Sequence, residues 1–448
     1  MNFIGVIGLL ASLVLLIYLT MKGINIIIAA ILSSILVALT GGLNLETALT
    51  ENYMTGFTDY FASWFLVFLL GAIFGKIMQE TKSAESIAQW VKRTAGAKRA
   101  VFAVVAAAAI MTYGGVSLFV VGFAVYPIAV SLFRTANLPH RFIPAALVFG
   151  SISFTMTSPG SPEIQNIIPT EFFGTTPTAG GIIGVICAFI IMIAGGLWLS
   201  SMVKKAVKNG EDFSPPYILS SQGEREAAAA TAAEAKESTS GQQLPNVILA
   251  LLPLIMVIVL LNVLAQFMNP TTALLIALTV GILQSCITMK KFLEAFWSSL
   301  ATGAQNALIA LANTCAVVGF GSVAAQVSAF DSVVNGLVNM PGPPLLGLAV
   351  GVTLICGITG SASGGLGIAL PILAPIYMSQ GLDPGAMHRV SALASGGIDS
   401  LPHNGYVVTT IRVICGESHK RAYMPIFILS VVVPTYVMFL AVLLYSSF

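Results

Sequence analysis

Four clusters of glycine, proline and hydroxyl residues interrupt stretches that are otherwise apolar enough to cross a bilayer. They are TYGGVS at 112–117, TSPGSPE at 157–163, TGSASGGLG at 359–367 and SGGIDSLPHNG at 395–405. In hydrocarbon each unpaired backbone N–H or C=O costs several kcal/mol. Irregular backbone at membrane depth therefore survives only where protein or a watery cavity surrounds it. Any fold of this chain has to keep these four stretches away from lipid.

Membrane depth follows from composition. The 448 residues are 56% hydrophobic and only 8% charged, with a mean hydropathy of +0.92; soluble domains carry about 25% charged residues. Runs at 4–19, 24–39, 182–199 and 247–264 approach the ~20 apolar residues that cross ~30 Å of hydrocarbon. The first run lacks a basic n-region and an A-x-A site, so it reads as a retained helix. The expected class is an all-α polytopic membrane protein. A net charge of +2 says nothing about nucleic acid, and with no basic patch interleaved with aromatics no nucleic-acid partner is expected. The five cysteines lie in or beside apolar runs without C-x-x-C spacing, as small buried residues do.

Two halves read alike at an offset of about 245 residues. GKIMQETKSAESIAQWV from Gly75 meets GSVAAQVSAFDSVVNGL from Gly321 without a gap, and YPIAV at 126–130 meets LPILA at 370–374. Each half holds two plain spans (3–21 and 23–40; 245–266 and 271–289). A short amphipathic stretch and a third span follow (60–79; 303–326), then a surface helix (83–94; 329–338). A 35-residue stretch comes next (99–133; 344–379), then a broken span (141–170; 386–415) and a last span (178–203; 422–446). The 35-residue stretches are too long for one crossing and fit a re-entrant hairpin with its tip at the glycine cluster.

Five crossings plus a hairpin is an odd number, so the second half runs inverted. The predicted units are a first repeat at 1–203, a cytoplasmic linker at 204–244 and a second repeat at 245–448. With both termini outside, 19 of the 20 lysines and arginines face inward and only Arg389 lies outside, as the positive-inside rule requires. His140, His388 and His419 fall in loops.

Discontinuous helices leave free N–H groups and a positive dipole end, which suits an anionic substrate. The candidate substrate-binding residues are therefore Tyr113, Gly114, Gly115, Ser117, Ser158, Gly160, Ser161, Thr359, Gly360, Ser361, Ser363, Gly364, His403 and Asn404. A carboxylate at this depth is a proton carrier or ion ligand, so Asp399, His403 and Glu163 are the candidates for proton coupling. No lysine or arginine falls in the four segments, which favours a small monoanion held by helix ends and hydroxyls. H-E-x-x-H, G-x-S-x-G and metal-ligand clusters are absent, so neither an enzyme nor a metal or organic cofactor is expected. No charge rings or filter repeats suggest an anion channel.

With these residues in view, the chain resembles the gluconate permease (GntP) family of bacterial inner-membrane symporters. YGGVSLFVVGFAVYPIAVSLFRTANLP at 113–139, TSPGSPEIQNIIP at 157–169 and ASGGIDSLPHNGYVVTTIRVICG at 394–416 carry the resemblance. It implies a homodimer with an elevator-like motion, importing gluconate, related sugar acids, D-serine or D-3-hydroxybutyrate with protons. Ser158–Pro162 stand where gluconate carriers have PPHPAP. The likeness is thus to the hydroxybutyrate-permease-like branch, and a short hydroxy-monocarboxylate is the expected substrate. Sodium is the alternative coupling ion, since hydroxyls and carbonyls at helix breaks also suit Na⁺.

Overall fold

The computed structural model describes residues 3–22, 24–96, 99–214, 244–402 and 404–447, and these form helices without any strand. Residues 215–243 of the predicted linker, and His403, lie outside the described residues.

Nine helices occupy the first half: α1 (Phe3–Met21), α2 (Ile26–Gly41), α3 (Leu45–Glu80), α4 (Ser83–Ala95), α5 (Ala100–Tyr113), α6 (Leu118–Thr135), α7 (143–153), α8 (Ile164–Phe173) and α9 (Gly181–Lys208). The second half repeats their order: α10 (Val247–Leu264), α11 (Pro270–Thr288), α12 (Phe296–Ala324), α13 (Ser328–Val338), α14 (Pro344–Thr359), α15 (Ala362–Ser379), α16 (Pro384–Ser395), α17 (Gly405–Ile414) and α18 (His419–Ser447). Among the described residues eight helices are long and apolar enough to cross a membrane: α3, α6, α9, α10, α11, α12, α15 and α18.

The starts of these helices are written locally. Asn25, Asn246 and Asn269 each accept a first-turn N–H, as does Asp383, and prolines follow at Pro270 and Pro384. Most helices are apolar all round, as helices bounded by lipid and protein must be. The exceptions, α4 and α13, are amphipathic. Helix α4 turns Ala84, Ile87, Ala88 and Val91 inward.

Helix contacts come in exchanged pairs. Helices α3 and α12 form the central contact, and Gly303 makes it tight: a methyl there would lie 2.9 Å from Ile73 Cα. Around them α2 packs on α12 as α11 packs on α3, and α4 packs on α10 as α13 packs on α1. Within the halves α5 packs on α7 as α14 packs on α16, and α9 meets α18 across the division.

Two expectations need correction. The third span of each half is longer than predicted. Asn44 caps a helix that runs through a π-turn at Ala48–Tyr53 without stopping, and Gly56 is needed for close packing against Ser322 rather than for a turn. The second hairpin tip is shorter than its glycine cluster. Ser361 accepts the Gly364 N–H at 3.1 Å, which starts α15 at once and places Ser363 and Gly364 inside its first turn.

Candidate functional site

The first break, 154–163, leaves the α7 helix and enters α8. Its backbone is held by side chains instead of a helical ladder. Tyr113, at the end of α5, donates its hydroxyl to Pro159 O at 2.7 Å. Gly160 has φ +81°, a conformation that suits glycine. Its N–H reaches Pro177 O at 2.9 Å, and its carbonyl accepts from Asn262 Nδ2 at 2.9 Å. Asn166 donates to Ser161 O at 2.8 Å and Pro177 O at 2.9 Å. Ser158 bonds back to Phe154 O, and Ser161 Oγ accepts the Glu163 N–H at 3.3 Å. Glu163 is half-buried at the start of α8. The tip of the α5–α6 hairpin abuts this break: Gly115, at φ +89°, would carry a methyl 3.4 Å from Pro162. Gly114 packs against Leu254, and Ser117 faces Gly75 of α3.

The second break, 396–404, separates α16 from α17. Asp399 is 7% exposed, and its carboxylate accepts the Ser400 hydroxyl at 2.9 Å. Tyr423 donates to Ser400 O at 3.1 Å. Asn404 uses both ends of its amide: Oδ1 accepts the Val407 N–H at 2.9 Å, while Nδ2 donates to Gly360 O at 3.1 Å. Gly360 lies in the left-handed region at φ +60°. Thr359 donates to Cys356 O at 3.1 Å and Ser361 O at 3.0 Å. His403 lies outside the described residues.

The two breaks meet. A methyl on Gly396 would lie 3.2 Å from Thr157 Cγ2. The four interruptions thus form one chain of contacts: first tip to first break, first break to second break, second break to second tip. Helix N-termini (α6, α8, α15, α17) and C-termini (α5, α7, α14, α16) gather beside them. Such a gathering offers N–H groups to an anion and carbonyls to a cation.

Three basic residues are fully buried. Arg389 is 0% exposed within α16. It donates to Thr157 O, to Pro177 O at 3.1 Å, and to Ala179 O at 3.0 and 2.8 Å. His388 is also fully buried rather than in a loop, bonded to Asn166 Oδ1 at 3.1 Å and Thr175 Oγ1 at 2.6 Å. His140 is buried against Glu417 at 2.9 Å, with Tyr126 on its other nitrogen at 3.1 Å. Sequence reasoning missed Asn166, Asn262, His388 and Arg389. A lone amide in an 18-residue apolar helix was the available signal for Asn262.

A family model described as GntP family permease matches residues 4–402. The chain is 35% identical, over 473 aligned positions and 98% of both chains, to an uncharacterized transporter, YxjC, of Bacillus subtilis (strain 168). Among solved structures it resembles the YdaH transporter of Alcanivorax borkumensis, described as having an unusual topology. That match has a TM-score of 0.54 at 15% identity and covers 90% of this chain and 88% of that one. Neisseria gonorrhoeae MtrF, described as illuminating a class of antimetabolite efflux pumps, matches with a TM-score of 0.47 at 15% identity, covering 90% and 84%. At such identities the likeness concerns the fold alone.

Proposed function

The chain belongs to the GntP permease family, and from that membership we propose that this multi-pass membrane transporter imports a small hydroxy-monocarboxylate with protons. The substrate class is 3-hydroxybutyrate-like, with a sugar acid such as gluconate as the neighbouring case. One observation supports this above the rest: four interrupted segments touch in sequence around unwound backbone, with a buried carboxylate among them. Helix N-termini and the hydroxyls of Ser158, Ser161, Ser361 and Ser363 cradle the carboxylate and hydroxyl of the substrate. Asp399 carries the proton, with His403 and Glu163 as its partners in transfer.

Two inverted repeats, each with a re-entrant hairpin, provide access from both faces in turn. The exchanged pairs of helix contacts support that symmetry. An elevator motion, a homodimer and a bacterial inner-membrane location with both termini extracytoplasmic complete the proposal, carried by the family resemblance and the charge bias.

Uptake into proteoliposomes tests it. With an inward proton gradient, labelled 3-hydroxybutyrate or gluconate accumulates in wild type. Asp399→Asn is expected to lose gradient-driven accumulation while retaining exchange of internal for external substrate; full accumulation by this variant would remove the proton from Asp399. Sodium coupling is the second reading, favoured by the buried hydroxyls of Thr157 and Thr435 beside Gly396 and Gly397, neither of which has a partner. Accumulation driven by a sodium gradient at constant pH separates the two.

A further inference from the structure

Arg389 holds a cation inside the protein, and among the described residues no carboxylate is paired with it. Its Nη1, Nη2 and Nε atoms all donate to backbone carbonyls of the first break and the loop after α8. Among the described residues the ion pairs are His140–Glu417, Arg141–Glu211 and Arg421–Glu417, so no carboxylate pairs with Arg389. A guanidinium is always charged, and an uncompensated charge away from water is strongly disfavoured. The fold nevertheless makes room for it. Gly184 of α9 lies where a methyl would come within 2.9 Å of both Arg389 Cδ and Pro159 Cγ. Beside the carbonyl that Arg389 grips, Thr157 Oγ1 is a buried hydroxyl without a partner. A fixed positive charge and an unused O–H at one break are the complement of an anion.

We propose that Arg389 is a positioning residue that sets the first break's preference for a monoanion: its charge is the resident counterpart of the substrate carboxylate, and its fork of donors keeps Thr157–Ala179 in the shape that presents Thr157 and Ser158. The inference rests on the carboxylate class proposed above. It places the charge selectivity on a residue of the second half that acts through the backbone of the first.

The full-length protein in detergent, titrated with 3-hydroxybutyrate and with its neutral amide, tests this by ligand-induced thermal shift. Wild type is expected to prefer the carboxylate. Arg389→Gln should weaken carboxylate binding by about tenfold or more while changing amide binding less than about threefold, because only the anion feels the lost charge. Arg389→Lys, which keeps the charge but not the fork, should bind both more weakly yet keep the carboxylate-to-amide ratio within about threefold. A purely structural role predicts that Arg389→Gln weakens both ligands alike, and that result overturns the proposal. If Arg389→Gln does not fold, loss of the ratio in Arg389→Lys overturns it equally. Wild type that responds to neither probe removes the carboxylate substrate class, and this inference with it. Wild type that responds while Arg389→Gln keeps the same ratio removes the inference alone.

Discussion

Asn404 is the residue on which the second hairpin and the second broken span depend together. Its amide caps α17 and grips Gly360 at once, so truncation strands both a helix N–H and a tip carbonyl. Asn404→Ala should lower stability by about 1–2 kcal/mol, seen as a depressed thermal midpoint. Asn404→Asp keeps the cap but loses the donor and should fall between. Asn404 was legible in the sequence as a polar residue of the second break, but its use as a cap and a brace was not. The burial of Arg389 and His388 escaped the sequence for a physical reason. Arg389's partners are carbonyls of Thr157, Pro177 and Ala179, more than 200 residues away, and a carbonyl leaves no mark on residue type. A guanidinium whose donors end on backbone carbonyls is invisible to any reading that looks for an opposite charge.

At the scale of elements, glycine decides how closely helices approach. In the α14–α15 hairpin a Cβ on Gly365 would lie 2.5 Å from Cys356 Cα and 2.8 Å from its nitrogen. Backbone cannot yield as a side chain does, so Gly365→Val should destabilise by about 3 kcal/mol or prevent folding, measured by thermal unfolding or by loss of monodisperse protein. At the other end of the molecule Arg141, before α7, grips Glu211, beyond α9, at 2.7 and 2.8 Å. The hydrogen bond from Arg141, aided by its charge, holds the Glu211 carboxyl below its ordinary 4.5. A depressed carboxyl stabilises the fold above its unfolded value, and that contribution disappears as pH falls through the folded one. Wild type should therefore melt slightly above Glu211→Gln at pH 7, with the difference shrinking as pH falls below the ordinary carboxylate range. The effect is small because the pair is partly exposed and screened. The order of helices and the places where they break were legible from hydrophobic runs and glycine clusters. The π-turn that fuses 45–80 into one helix was not, because Asn, Thr and Glu read as a separate amphipathic stretch when nothing shows what they pack against.

Across the whole molecule, both hairpins pack on the central α3–α12 pair, and the proposed elevator motion requires them to slide along it. Ser117, at the first tip, has its Cβ 3.3 Å from where a Cβ on Gly75 of α3 would sit, close to disulfide geometry. In a background without the five native cysteines, Gly75→Cys with Ser117→Cys should cross-link on oxidation, halt uptake and recover on reduction. Uptake that persists while the bond is intact would argue against sliding at this boundary. Braces that cross between the halves have a further consequence. The first break is held in part from the second half, by Asn262 and Arg389. The first half in turn supplies His140 to Glu417, Ser151 to Tyr406 and Ser153 to Ser430, beyond the second break. Neither half can therefore hold its own broken helix in shape: a single half expressed by itself would need the other beside it to complete the bracing.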